Sequence, residues 1–154
     1  MKSRAVLMKE LNQAIQRSST LTVLHTNAIA NKVGLSGTEF EAMDIISRYQ
    51  PMTAGKLSKY CGLTTGAITG LVDRLSRAGT AKRMRDPEDR RRVFIIPVEN
   101  EEKNKRVCDL YGPIGKAFEK TMNECSDEQL QFLVEFHLKM NNEMEKILID
   151  LREQ

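Results

Sequence analysis

Apolar residues recur along most of this chain at the three- and four-residue steps of a helix, and polar capping residues break the pattern at regular places. From residue 3 to 33, Leu7, Leu11, Ala14, Leu21, Leu24, Ala28 and Ile29 follow such steps and predict one long helix. Ser36 and Glu39 are spaced as a capping box, in which each side chain bonds the other's backbone amide. The helix they open carries Phe40, Met43, Ile46 and Tyr49 on one face, and Pro51 stops it. Thr53 is placed to cap a short third helix running through Leu57 to Tyr60 and ended by Gly62. Thr64 is placed to cap a fourth, whose Ile68, Leu71, Val72 and Leu75 form an i, i+3, i+4, i+7 stripe, with Gly79 at the position of a left-handed cap.

Two short helices joined by a Cys-Gly-Leu turn predict a helix-turn-helix. The pattern then changes. Residues 80 to 85 and 92 to 97 are expected to pair as two strands, with Val93, Ile95 and Pro97 alternating with Phe94 and Ile96 around the turn-forming segment DPEDR. A helix-turn-helix followed by a β-hairpin is a winged helix. From Asn100 to Met122 the helical stripe returns with Val107, Leu110, Ile114, Ala117 and Phe118. Ser126 and Gln129 form a second capping box, and Leu130, Leu133, His137, Met140, Met144, Ile147 and Leu151 then alternate steps of three and four as a heptad seam does. The predicted class is mainly α with a small β-hairpin, a winged helix-turn-helix flanked by long N- and C-terminal helices whose apolar seam must be covered, by the chain's own domain or by a second copy. Its divisions fall at residues 1–34, 35–98 and 99–154.

Composition narrows the chemistry. No apolar run approaches the roughly 18 residues of a membrane span, so a cytoplasmic chain with no membrane partner is expected. Cys61, Cys108 and Cys125 make an odd set without CxxC spacing, which suggests neither a disulfide framework nor a zinc module. His25 and His137 stand far apart, so no metal site is expected. No phosphate-cradling glycine loop, HExxH motif or Ser-His-Asp arrangement is present, and an enzyme with a bound cofactor is not expected. The net charge is only +3, but its distribution is uneven. Residues 55 to 92 hold ten Lys and Arg against four Asp and Glu, a balance of +6, while the remainder balances at −3. Five of those arginines crowd the segment RMRDPEDRRRVF, more than any turn requires. Beside a helix-turn-helix, such a cluster points to the phosphates and minor groove of double-stranded DNA.

The stretch LSGTEFEAMDIISRYQPMTAGKLSKYCGLTTGAITGLVDRLSRAGTAKRMRDPEDRRRVFIIPV resembles the winged helix-turn-helix of the MarR (multiple antibiotic resistance regulator) family. The likeness rests on the LS-x-x-E opening, the recognition helix LTTGAITGLVDRLSRAG and the wing DPEDRR, which occur together at the family's spacing. Thr80 departs from it where an apolar residue is usual, and is expected to loosen the base of the wing. PVENEEK replaces the usual Leu-Thr-x-x-Gly that closes the wing. The resemblance implies that Thr64, Thr65, Gly66, Thr69 and Gly70 face the major groove, with Arg74 near the backbone. It also implies that Arg91 enters the minor groove with its guanidinium held by Asp89. Arg83, Arg85 and Arg90 are expected on phosphates, and Lys56 is expected to reach the backbone from the preceding helix.

The same resemblance implies a homodimer built from the first helix and the last two, through Leu7, Leu11, Leu110, Ile114, Leu133, His137, Met140, Met144, Ile147 and Leu151. A two-fold dimer spaces its recognition helices one DNA turn apart, about 34 to 36 Å, and reads a pseudo-palindromic operator. Many relatives leave DNA on binding a small aromatic or anionic effector, and residues considered for such a cleft are His25, Met43 and Tyr111. Thiol oxidation is the second mode of control within the family. Cys61 is expected instead to fill a small apolar space, with Cys108 and Cys125 on or near the dimer helices. The reading from another class is an architectural winged helix that uses its basic wing without sequence preference.

Overall fold

The computed structural model describes residues 2–153. Its six helices are α1 (Arg4–Lys32), α2 (Gly37–Arg48), α3 (Ala54–Cys61), α4 (Thr65–Arg77), α5 (Glu101–Met122) and α6 (Asp127–Glu153). Three strands accompany them, β1 (Met52–Thr53), β2 (Ala81–Arg85) and β3 (Val93–Pro97). Each predicted cap is made. The Glu39 amide donates to Ser36 Oγ at 3.3 Å while the Ser36 amide donates to Glu39 Oε2 at 2.8 Å, closing the capping box of α2. Thr53 Oγ1 accepts from the Lys56 amide at 3.2 Å and Thr64 Oγ1 from the Ala67 amide at 3.3 Å, satisfying donors that a helix start leaves bare. Ser126 and Gln129 repeat the box at the head of α6.

The C-terminal ends of both α3 and α4 need a left-handed residue, and glycine supplies it without a Cβ penalty. Gly62 closes α3 at φ 65° and Gly79 follows α4 at φ 67°. At the second, the Thr80 amide reaches the Leu75 carbonyl at 3.0 Å and the Gly79 amide reaches that of Ser76 at 3.0 Å, the paired bonds of a Schellman motif. Thr80 does not loosen the base of the wing, as the departure from the family pattern led us to expect. It is buried, and its hydroxyl donates to the same Leu75 carbonyl at 3.1 Å. A threonine fits there because the helix end offers an acceptor for the hydroxyl, so the polar atom enters the interior already bonded.

The wing is a three-stranded antiparallel sheet in the order β1-β3-β2, and the short outer strand was absent from the sequence expectation. Met52 pairs with Ile95 and Thr53 with Phe94, while β2 and β3 run in register from Ala81 opposite Pro97 to Arg85 opposite Val93. Two residues carry too little periodicity to signal a strand, and only the neighbouring strand β3 makes one of them. Met52 and Ile95 are nonetheless sealed into the core beside Ile46, Leu57, Ile68, Leu71, Val72 and Leu75. That core draws on α2, α3, α4, all three strands and, from the end of α1, Ala30.

The chain divides into two compact units, the first ending at Val107 and the second beginning at Cys108. Inside the first, Lys103 Nζ donates to the Ala78 carbonyl and so anchors the start of α5 to the end of α4. In the second, apolar side chains of α6 such as Leu133, Met144, Ile147 and Leu151 are exposed, and α5 buries none of its residues. The N-terminal half of α1 likewise exposes Val6, Leu7, Met8, Leu11 and Ile15. No helix among the described residues is long and apolar enough to cross a membrane.

Ile46 is fully buried at the centre of the winged unit. Replacing it with alanine should cost about 2 to 5 kcal/mol, read as a lower urea midpoint with little change in slope. A loss below about 1 kcal/mol would mean that this core is not what holds the unit together.

Candidate nucleic-acid interface

The face of α4 opposite its buried stripe is set by helical geometry. Burial of Ile68, Leu71, Val72 and Leu75 turns Gly66, Thr69, Gly70, Asp73 and Arg77 outward at the complementary spacing of three, one, three and four residues. Gly66 has open space where a Cβ would stand, and at Gly70 the nearest neighbour is the Arg74 guanidinium at 3.5 Å. This makes a shallow, small-residue surface that a DNA groove can approach closely. Thr69 Oγ1 donates to the Thr65 carbonyl at 3.0 Å, so in the free protein the hydroxyl offers acceptor capacity only. Thr64 is spent in part on capping the helix, while Thr65 is exposed.

The basic residues expected at this surface fall into two groups. Arg74 Nε meets Glu39 Oε1 at 2.6 Å, which ties α4 to the head of α2. Arg83, placed on β2, meets Asp73 Oδ1 at 2.6 Å and donates to the Thr69 carbonyl at 3.3 Å. In the free protein neither arginine is the unpaired cation that the sequence suggested, because carboxylates on neighbouring elements fall within reach only after folding. Lys56, Arg85, Arg90 and Arg91 are exposed, and their side chains make no hydrogen bond or ion pair among the described residues.

The wing tip owes its shape to two aspartates. Asp86 Oδ1 accepts from the Glu88 amide at 2.9 Å and the Asp89 amide at 3.4 Å, while the Asp86 amide itself donates across the loop to the Arg92 carbonyl at 3.0 Å. Asp89 Oδ1 accepts from the Arg91 backbone amide at 3.1 Å, and its Oδ2 lies 3.7 Å from Arg92 Nε. The expectation that Asp89 grips the Arg91 guanidinium is therefore corrected for the free protein. A carboxylate two residues before an arginine reaches the backbone of the tight loop first, and the side chain of Arg91 projects without a partner among the described residues.

Among the remaining candidates, His25 is exposed on α1, Met43 packs partly buried against the winged core, and Tyr111 is exposed on α5. Packing accounts for Met43 without an effector. Cys61 is partly buried against the same core, Cys125 donates its thiol to the Thr121 carbonyl at 3.7 Å, and Cys108 is exposed. No group of three or more His, Cys, Asp or Glu side chains fit to hold a metal ion occurs among the described residues. Asp73 and Arg77 were missed as members of the α4 face. Their spacing of seven and eleven residues from Gly66 already carries that signal.

Comparison with known proteins agrees with this architecture. Residues 35–93 match the model of the MarR family. The chain is 38% identical over 151 residues to YcgE of Bacillus subtilis (strain 168), an HTH-type transcriptional regulator, and the match covers 98% of this chain and 97% of that one. A MarR family protein from Bacillus stearothermophilus has a similar fold at a TM-score of 0.71 and 20% identity, covering 94% of this chain and 99% of that one. Streptococcus pneumoniae FabT, whose structure is a complex with DNA, is similar at a TM-score of 0.68 and 20% identity, covering 91% and 99%.

The Glu39 carboxyl is held below its ordinary value of 4.5, foremost by the Ser36 backbone amide; burial opposes this, and the Arg74 guanidinium and Ser36 hydroxyl reinforce it. A folded-state value below the unfolded one stabilises the fold above the ordinary value, and that contribution is lost as pH falls through the lowered one. Glu39→Gln keeps a capping side chain but removes the charge. Its deficit in urea stability against the parent should be full at pH 7 and shrink as pH falls below 4.5. A deficit that does not change with pH would exclude this carboxylate from the acid response.

Proposed function

The chain belongs to the MarR family of DNA-binding transcription regulators, and from that premise we propose that it acts in the cytoplasm as a homodimeric repressor of a pseudo-palindromic operator. As a member of that family it is a regulator rather than an enzyme. The observation that carries the reading is the pairing of two surfaces in the winged unit. The small-residue face of α4 suits close approach to base edges in the major groove, and the exposed Arg85, Arg90 and Arg91 beside it suit phosphates and a narrow minor groove. FabT, similar in fold, is a protein seen in complex with DNA. Lys56 would add a phosphate contact from α3.

The dimer reading is supported by apolar surface that a single chain leaves open. Leu7 and Leu11 of α1, and Leu133, Met140, Met144, Ile147 and Leu151 of α6, are all exposed. Contiguous apolar faces of this kind mark interaction sites. In this reading Leu110, Ile114 and His137 join the same interface, residues 1–34 and 99–154 serve dimerisation, and residues 35–98 serve DNA binding. A two-fold pair then sets half-sites about one turn, roughly 34 to 36 Å, apart. Release by a small aromatic or anionic effector completes the proposed cycle.

The reading is tested by titrating the protein against its own upstream promoter DNA and a scrambled duplex at two salt concentrations, then adding small aromatic acids or an oxidant. Preferential binding released by an aromatic acid is the expected outcome; release by oxidant alone would shift control to the cysteines. Equal, salt-labile binding to both duplexes would replace the operator reading with an architectural one. Within the same assay, Arg91→Ala should weaken promoter binding by at least about tenfold while sedimentation still reports a folded dimer. Unchanged affinity would remove the wing tip from DNA recognition.

A further inference from the structure

Asp73 is anomalous where it stands. It lies on the outward stripe of α4 with Gly66, Thr69 and Gly70, so on the reading of α4 as the DNA-reading helix its carboxylate faces a polyanion. An uncompensated negative charge there opposes binding to any sequence. The structure supplies the compensation from the wing. Arg83 on β2 spans ten residues back to Asp73 Oδ1 at 2.6 Å, and its second terminal nitrogen donates to the Thr69 carbonyl at 3.3 Å. One planar guanidinium thus grips two successive turns of α4 through its two terminal nitrogens, which the fixed fork of arginine holds at a set spacing.

We propose that Asp73 is a positioning residue for operator recognition: it holds Arg83 as a strut that locks the wing to the recognition helix and keeps that arginine off the phosphates. This inference rests on the operator reading above. The pair is largely exposed, with side chains 41% and 50% accessible, so its contribution to stability is small. Its consequence is geometric. The strut reaches the backbone of Thr69, the threonine at the centre of the outward face, and so sets how far the wing arginines stand from that turn. It also removes one cation from the nonspecific attraction, which favours discrimination between sequences over raw affinity. On the other side of α4, Arg74 and Glu39 meet at 2.6 Å, so the adjacent residues 73 and 74 bind the helix to β2 and to α2.

The test uses the full chain as Asp73→Asn, Arg83→Ala and the double variant, each titrated over a range of salt against the upstream promoter duplex and its scrambled counterpart. Thermal unfolding should be nearly unchanged in all three. Both single variants should lower the promoter-to-scrambled affinity ratio by about tenfold, and the double variant should fall no further than the worse single one, since both ends of one strut are removed. Asp73→Asn frees Arg83, so its salt slope should steepen by up to about 0.9, the value of one phosphate contact, whereas the double variant, which removes both charges of the pair, should leave the slope unchanged. Flattening by about 0.9 in the double variant would make Arg83 a phosphate contact and overturn the proposal. Additive losses in the double variant would equally overturn it, and would point to Asp73 reading a base amino group on its own. If the parent protein fails to discriminate the two duplexes, the operator reading falls, while the salt slopes on either duplex still decide whether Arg83 is held away from phosphate.

Discussion

The burial of one face of α4 is the constraint on which the rest of the winged unit depends. Ile68, Leu71, Val72 and Leu75 are at most 1% exposed and pack with Ile46, Leu57, Met52 and Ile95. Because a helix is rigid, sealing that stripe leaves no choice about the opposite one. Gly66, Thr69, Gly70, Asp73 and Arg77 are outward for that reason alone. The residues of the candidate DNA surface need no interactions of their own to be presented, and the small size of Gly66, Thr69 and Gly70 keeps the surface accessible to a groove.

Charge is organised on top of that packing. The +6 cluster between residues 55 and 92 is not a uniform basic patch. Arg74 and Arg83 are held by carboxylates on other elements, and Arg92 lies near Asp89. Arg85, at the end of β2, remains exposed, as do Arg90 and Arg91 on a loop whose backbone is organised by Asp86 and Asp89. The acidic residues of the wing therefore do not simply dilute its charge. They convert backbone amides of the turn into fixed bonds, which aims the arginines that follow.

Outside the winged unit the balance of burial reverses. The interior lies between Ile29 and Ile95, whereas α6 carries exposed Leu133, Met140, Met144, Ile147 and Leu151. A helix with such a face gains little from folding alone, since most helical stability in proteins comes from packing an apolar face. The apolar faces of α1 and α6 obtain that packing from a second copy in the proposed dimer, which also supplies the symmetry that a palindromic site requires.

Local signals are legible in the sequence wherever the physics is local. Capping by Ser36, Thr53, Thr64 and Ser126 depends on residues three positions apart, and the stripe of α4 on one helical period, so a single short segment of chain carries each of them. The hairpin and the family likeness follow from the same short-range patterns. Contacts between distant segments leave no such mark. The strand at Met52 exists because β3 lies beside it, and Thr80 is tolerated because the end of α4 offers its hydroxyl a carbonyl. The sequence alone determined that the arginines cluster around a wing beside a helix-turn-helix. Only the tertiary structure decided which of them are free, because an ion pair such as Arg83 with Asp73 forms where folding brings the two side chains within 2.6 Å.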